Sequence, residues 1–446
     1  MGLVCPAHAE IRTVLPGAED LQAIVDKAAE GDTIVLLPGL HRGPIRLTRK
    51  IFLVGEKGAV LTGSNQGSVV TVLAPQVVVR GLIIRGSGTD LETMDSGVYV
   101  EQTATGAVVE DNRLEGNLFG IYLHGAADSV AQRNQILGLR LIHPSEAGNG
   151  LSVWNATGAK ILDNDIRFGR DGVFIITSRK NVISGNSFRD LRFAVHYMYA
   201  DAGEITNNVS TGNHVGYALM YSQGLSVHGN FSNHDRDHGL LFNYANGSAI
   251  SDNVVEGGFL PSTHWTSSID LDEANMTQAS EAGGPTAPAE TYRLAPEECV
   301  FIYNANNNRF RDNWFEGCEI GIHFTAGSEG NEFVGNAFIG NRNQVKYVGT
   351  RFLDWSKDGR GNYWSDNPGF DLNGDGIADT AYRPNDLVDK VLWIAPQAKV
   401  LTNSPAVQVI RWAQSQFPAL LPGGVIDSHP LIAPPIKPVF KARNAS

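Results

Sequence analysis

Two methionines and one histidine stand at a spacing that could bind a soft metal ion. The sequence numbers of Met198 and Met220 differ by 22, and His196 precedes Met198 by two positions. On stacked strands, residues one coil apart lie about 5 Å from each other, and residues i and i+2 share one face of the sheet. Two thioethers and one imidazole form a soft ligand set that suits Cu(I) and suits Mg²⁺ or Ca²⁺ poorly. The sequence therefore predicts a surface copper site at His196, Met198 and Met220; the alternative is that the methionines are adaptable filler in a protein interface.

A second set of ligands, all with oxygen donors, lies near the C-terminus. Asp371, Asn373, Asp375 and Asp379 surround the turn residue Gly376 with the alternation of a Ca²⁺-binding loop. Tyr382 stands at the twelfth position, where an EF-hand has glutamate, so the loop departs from that motif. We expect calcium to bind here; the alternative is a turn that is rich in Asp and Asn.

Asparagines at a fixed interval predict the elements that position these residues. Asn164, Asn186, Asn208 and Asn230 follow one another at a constant interval of 22, and the series extends to Asn112, Asn134, Asn253 and Asn336. A repeat of this length that contains short apolar runs is too short for a helix pair and fits one coil of a parallel β-solenoid. Stacked coils would place the amides in a hydrogen-bonded ladder inside a turn. Because the hexapeptide repeats of left-handed solenoids do not occur here, we predict an all-β, right-handed parallel β-helix.

The predicted β-helix spans residues 10–365 and carries one long insertion. Residues 18–29 have the apolar spacing of an amphipathic helix, which would cap the open N-terminal end. Residues 257–298 lack an apolar period, which predicts a long loop. Residues 366–446 form a C-terminal extension with the calcium loop, short helices at 388–395 and 406–416, and a Pro-rich tail. We expect residues 406–438 to dock on a membrane partner; the alternative is a second cap on the coils.

Charge and hydropathy restrict the compartment and the partners. The net charge of −12 argues against nucleic acid, whose phosphates require a basic face. No apolar run of about 18 residues occurs, so we expect membrane contact only through a partner. Residues 1–9 end in Ala7-His8-Ala9, a signal-peptidase pattern, and are interpreted as the remnant of an export signal. In an oxidising compartment Cys299 and Cys318 could form a disulfide; the alternative is two buried free thiols.

Strand alternation predicts which side chains lie on the outer face of the coils. One outward column reads His124, Trp154, Ile176, Met198, Met220, Asn243, Tyr303 and Thr325, and the parallel column reads Tyr122, Ser152, Phe174, His196, Ala218, Leu241, Phe301 and His323. Aromatic, methionine and histidine side chains on a sheet face are typical of a binding surface; the alternative is that the C-terminal segment covers them. Because the columns contain no Asp, Glu, Lys or Arg, we predict no catalytic residues. The alternative function is that of a carbohydrate-active β-helix protein, either a polysaccharide lyase or a sugar-binding module.

Several motifs resemble a known family. They are VHYMY at 195–199, GNHVGYALMY at 212–221, GIHFTAGSE at 321–329, QVKYVGT at 344–350 and NYWS at 362–365. Together they resemble the NosD family, periplasmic maturation factors of nitrous oxide reductase, over about residues 16–435. The resemblance implies a right-handed β-helix docked on the membrane and ATPase subunits of an ABC transporter. It further implies a copper chaperone and the reductase as partners, and it supports the involvement of copper without assigning ligands.

Overall fold

Short strands recur every 22 or 23 residues in the central coils and pair in parallel to build a β-solenoid. In the computed structural model, the described residues are 9–17, 20–140, 146–261, 292–295, 297–325, 327–349, 351–385 and 424–440, together with 404–406, 409, 410 and 413. Each coil contributes one strand to each of three parallel sheets, so that sheets A and B hold 13 strands and sheet C holds 12. The prediction of a parallel β-solenoid is confirmed.

The strands are numbered in chain order. Sheet A contains β1 (Ile11–Val14), β2 (Thr33–Leu36), β5 (Phe52–Gly55), β8 (Val78–Arg80), β11 (Val108–Glu110), β14 (Val130–Gln132), β17 (Lys160–Leu162), β20 (Val182–Ser184), β23 (Glu204–Thr206), β26 (Ser226–His228), β29 (Ala249–Ser251), β34 (Arg309–Arg311) and β37 (Glu332–Val334). Sheet B contains β3 (Gly39–Arg42), β6 (Ala59–Thr62), β9 (Ile83–Arg85), β12 (Arg113–Glu115), β15 (Gln135–Leu137), β18 (Asp165–Arg167), β21 (Ser187–Arg189), β24 (Val209–Thr211), β27 (Phe231–Asn233), β30 (Val254–Glu256), β35 (Trp314–Glu316), β38 (Ala337–Ile339) and β41 (Tyr363–Trp364). Sheet C contains β4 (Ile45–Leu47), β7 (Val70–Val72), β10 (Ser96–Val100), β13 (Phe119–His124), β16 (Leu151–Trp154), β19 (Asp171–Ile176), β22 (Phe193–Met198), β25 (Val215–Met220), β28 (His238–Asn243), β33 (Glu298–Tyr303), β36 (Ile320–Thr325) and β39 (Asn343–Val348).

An asparagine ladder fixes the register of the coils. Asn186 Nδ2 donates to Asn208 Oδ1 at 2.9 Å, and Asn208 Nδ2 donates to Asn230 Oδ1 at 2.9 Å. Each Oδ1 also accepts a backbone N–H from the preceding ladder residue, and each Nδ2 also donates to a backbone carbonyl of a lower coil. Since an unpaired buried amide would cost about 1–3 kcal/mol, the fully paired ladder disfavours any other register. The predicted ladder is confirmed.

Non-repeating segments lie at both ends of the solenoid. Helix α1 (Leu21–Asp26), which is shorter than predicted, begins at the N-cap Asp20 and lies beside β4. At the other end, β42 (Gly424–Ile426) pairs with β40 (Phe352–Asp354). Asp427 then takes the next position of the ladder, where it accepts the backbone N–H of Asn362 at 2.7 Å.

The chain beyond β42 packs along the outside of sheet B. Lys437 Nζ lies 2.5 Å from carboxylate oxygens of both Glu256 and Glu316, and Phe440 stacks on Phe231 at 5.0 Å. Residues 424–438 of the predicted docking segment thus contact the coils, and docking of the segment on a membrane partner stays a prediction. Nearly all of the rest of that segment, and the helix predicted at 388–395, lie outside the described residues.

Two further predictions fall on partly described segments. The insertion begins and ends with an antiparallel pair of strands, β31 (Gly258–Pro261) and β32 (Tyr292–Ala295), and residues 262–291 between them lie outside the described residues. Residues 1–8 of the predicted signal remnant also lie outside the described residues. Cys299 and Cys318 are joined by a disulfide inside the core, which decides between the two alternatives that the sequence left open. No helix in the described part of the chain is long and apolar enough to cross a membrane.

Candidate metal-binding face

The outer face of sheet C carries the predicted copper ligands in the expected register. His196 pairs with Ala218, Met198 with Met220, and Met220 with Asn243. Adjacent strands lie about 4.8 Å apart, so the two thioethers occupy neighbouring positions of one column. The structure therefore brings His196, Met198 and Met220 onto one face.

This face is more buried than a solvated sheet surface. Three aliphatic side chains, Val215, Ala218 and Leu241, are covered by the partly buried side chains of Phe193, Met220 and Phe301. We call this cluster the apolar patch. The burial comes from packing among outward side chains, whereas Lys437 and Phe440 of the C-terminal segment contact sheet B. The predicted copper ligands thus border a surface from which water is largely excluded.

A buried carboxylate holds the imidazole of His196. Asp171 Oδ2 lies 3.0 Å from His196 Nδ1, and the same carboxylate accepts two hydrogen bonds from Arg192 at 2.8 and 2.6 Å. Burial alone would raise the pKa of Asp171, but the hydrogen bonds from His196 and Arg192 outweigh it and hold that pKa below its ordinary value. The ionised carboxylate can only accept, so His196 Nδ1 donates to it, and the neutral form of this imidazole has its lone pair on Nε2.

Asp171 reaches this position because strand alternation breaks at the start of β19. Gly172 faces the interior, where a Cβ would lie 2.5 Å from the carbonyl oxygen of Ala194 and 2.5 Å from the ring of Phe188. Val173, the next residue, is also fully buried in the core. With two consecutive residues turned inward, Asp171 lies on the outer side, where it meets His196. The two outward columns that follow from strict alternation omit this carboxylate for that reason.

Two polar atoms on this face have no hydrogen-bond partner among the described residues. His196 Nε2 is buried between the rings of Phe174 and Phe193, whose centroids lie 4.8 and 5.0 Å away from that of the imidazole. Asn243 Oδ1, in the column position next to Met220, is also buried and unpartnered. An unpaired buried acceptor is costly, typically about 1–3 kcal/mol. A bound cation or a partner's donor would remove that cost.

A second histidine on this face has the same carboxylate contact but no thioether. His323 Nδ1 lies 2.6 Å from Glu298 Oε1, and the carboxylate again begins the strand of the preceding coil. Thr325 occupies the position that Met198 has relative to His196, and Lys346 pairs with His323 in the register. His323 therefore has the geometry of His196 in a setting that does not favour a cation.

The predicted calcium loop is a series of Asx turns. Asp371 accepts backbone N–H groups of Gly374 at 2.6 Å and of Gly376 at 2.8 Å, which lowers its pKa. Asp375 accepts from Ile377 at 2.9 Å, and Asp379 accepts from Leu372 at 2.7 Å. These contacts are those of Asx turns, and the calcium prediction remains untested. Among the described residues, no group of three or more His, Cys, Asp or Glu side chains could hold a metal ion.

Comparison with known proteins identifies the family. The model of the NosD family, described as "Periplasmic copper-binding protein (NosD)", matches residues 138–369. A "Probable ABC transporter binding protein NosD" from Stutzerimonas stutzeri is 40% identical over 407 residues, covering 91% of this chain and 88% of that protein. A protein of the same description from Pseudomonas aeruginosa is 39% identical over 400 residues, covering 90% and 88%. The crystal structure of the Dettilon tailspike protein, at 14% identity and a TM-score of 0.51, covers 72% of this chain and 62% of that one and shows the shared fold alone. The chain belongs to the NosD family.

Proposed function

We propose that this chain is an exported, non-enzymatic protein that handles copper for the maturation of nitrous oxide reductase and docks on an ABC transporter. The description of the family as periplasmic and copper-binding supports the metal and the compartment. The description of the relatives as ABC transporter binding proteins supports the partner. The observation that carries the proposal is the carboxylate-held His196, whose Nε2 is buried and unpartnered on the same sheet face as two thioethers.

The three side chains fit Cu(I) chemically. Histidines that ligate metals commonly donate the other ring N–H to a carboxylate, and the Asp171–His196 contact has this form. Thioether sulfur and imidazole nitrogen are ligands that copper accepts and that hard cations disfavour. His196 Nε2, Met198 Sδ and Met220 Sδ would hold the ion. Because the thioethers are half-buried on an outer sheet face, such a site would exchange copper rather than store it.

A row of tyrosines beside these ligands offers a contact surface for a copper-donating partner. Tyr199, Tyr221 and Tyr244 directly follow Met198, Met220 and Asn243, and their rings stack at 4.8 and 5.1 Å. They are 54%, 42% and 40% exposed. Exposed aromatic rings of this kind are enriched where protein partners bind. We place the copper chaperone on this row, from which it could contribute a fourth ligand.

Reductase maturation in cells tests the proposal. Leucine retains apolar area and removes the thioether, so Met198→Leu combined with Met220→Leu should preserve packing and abolish copper loading of the reductase. Met94→Leu, which removes a thioether elsewhere on the chain, is the matched control and should leave loading unchanged. Full copper loading in the double variant would leave docking as the only role of this face.

A further inference from the structure

A separate cavity of about 740 Å³ lies on the outer side of sheet C, toward its N-terminal end. Its floor includes Arg46, Thr71 and Tyr99, which are register partners on three adjacent strands, and it ends at His124 on the fourth. Residues 65–68 and 88–95 form its walls. Its volume is within the range of small-molecule sites, which is about 300–1,000 Å³.

The charges around the cavity exclude an anionic ligand. Four carboxylates line it, those of Asp90, Glu92, Asp95 and Glu101, against the single guanidinium of Arg46. A phosphate or a uronate would meet net repulsion there. Asp95 is 3% exposed and already accepts from the backbone of Asp90 and from the hydroxyl of Thr93 at 2.8 Å, so it is occupied as a structural acceptor. The lining therefore suits a neutral or positively charged organic molecule better than a metal ion.

His124 lies at the end of the cavity in contact with Tyr99. The hydroxyl of Tyr99 lies within hydrogen-bonding distance of His124 Nδ1. Burial raises the pKa of Tyr99 to about 12, so the phenol keeps its proton at neutral pH. When the phenol donates to Nδ1, the neutral imidazole of His124 carries its ring hydrogen on Nε2 and can donate it to a ligand oxygen.

Aromatic surface continues from the cavity along the same face. Tyr99 stacks on Tyr122 at 5.5 Å, and Trp154 meets the His124 ring edge-on at 4.5 Å. Trp154 is 39% exposed, so its indole is available to a ligand. Hydroxyl and amide side chains of Asn65, Ser68 and other lining residues add hydrogen-bond donors and acceptors. Apolar ring faces beside a dense set of polar groups are what a sugar requires, because each pyranose has an apolar C–H face and a rim of hydroxyls.

We infer that this cavity binds a neutral or amino-substituted oligosaccharide of about two or three rings. Its floor crosses four strands, which gives roughly 14 Å of length. Carboxylates accept hydrogen bonds from sugar hydroxyls or ammonium groups, His124 Nε2 donates to a ring substituent, and Tyr99 and Trp154 contact the C–H faces. The inference is independent of copper, because His124 lies three strands before Met198 in its column.

Isothermal titration of the full chain with three trisaccharides tests the inference. Trimers of β-1,4-linked glucose or glucosamine should bind with millimolar or tighter affinity, and a galacturonic acid trimer should not bind. Trp154→Ala and Glu101→Gln should each weaken binding about ten-fold through loss of ring contact or of a charged acceptor. Tyr303→Ala removes a similarly exposed ring, 41% exposed, from the far end of the same face and should change nothing.

Three results would overturn the inference. One is the absence of binding heat for both the glucose trimer and the glucosamine trimer at millimolar concentration. Another is equal binding of the galacturonate trimer, which would contradict the charge argument. The third is binding that is insensitive to both Trp154→Ala and Glu101→Gln, which would place the ligand elsewhere on the molecule.

Discussion

Replacing Asp171 with asparagine isolates the contribution of one buried carboxylate to copper binding. The change keeps the side-chain volume and removes the negative charge of the carboxylate. That carboxylate accepts hydrogen bonds from His196 Nδ1 at 3.0 Å and from Arg192 at 2.8 and 2.6 Å. Without that charge the imidazole loses basicity and its fixed ring orientation. Loss of such outer partners typically lowers metal affinity by about 10- to 100-fold, which corresponds to about 1.4–2.7 kcal/mol. We expect a decrease in Cu(I) affinity of this size.

A competition titration against a chromophoric Cu(I) chelator under anaerobic conditions measures the effect. Glu298→Gln is the matched control, because Glu298 holds His323 in the same way without a neighbouring thioether. Circular dichroism should show both variants folded, although loss of Asp171 costs stability by leaving Arg192 unpaired. An unchanged affinity in Asp171→Asn, or an equal loss in Glu298→Gln, would refute the assignment of His196.

Three further predictions concern other parts of the molecule. Burial alone would raise the pKa of Glu298, yet the close contact with His238 and the hydrogen bond from His323 lower it to about 2. The contribution of Glu298 to stability is therefore present above its ordinary pKa of 4.5 and is lost as the pH falls toward 2. Urea unfolding should therefore show Glu298→Gln to be less stable than wild type by about 3 kcal/mol at pH 6 and equal to it near pH 2. Asp371→Asn should weaken Ca²⁺ binding at least ten-fold in calorimetry, and absence of Ca²⁺ heat in the wild-type chain would leave a purely structural turn. Deleting residues 406–420 retains Asp427 at the end of the ladder and should leave a folded protein that no longer co-purifies with the transporter. If the deletion variant still co-purifies, the docking surface lies elsewhere on the chain.

Local spacing was sufficient to predict the solenoid. The constant interval from Asn164 to Asn230 reflects one physical requirement, that each buried amide pairs with its equivalent one coil away. The same interval, with strand alternation, correctly placed His196, Met198 and Met220 on one outer face. Whether copper binds them stays a prediction.

Contacts that depend on breaks in the repeat could not be predicted in this way. Strict alternation turns Asp171 toward the core, and only the lack of space for a Cβ at Gly172 reveals that the strand departs from it. An aspartate before an inward glycine at a strand start is the signal that could have identified this contact with His196. The return of Lys437 to Glu256 and Glu316 joins residues that are far apart in the sequence, and no local pattern contains that information.

Copper K-edge X-ray absorption of the chain loaded with one equivalent of Cu(I) tests the central claim most directly. The spectrum should contain sulfur scatterers from Met198 and Met220 and a nitrogen scatterer from His196. The sulfur contribution should disappear when both methionines are replaced by leucine. A wild-type spectrum with nitrogen and oxygen scatterers alone, or a sulfur contribution that persists in the double variant, would contradict the assignment of this face as the copper site.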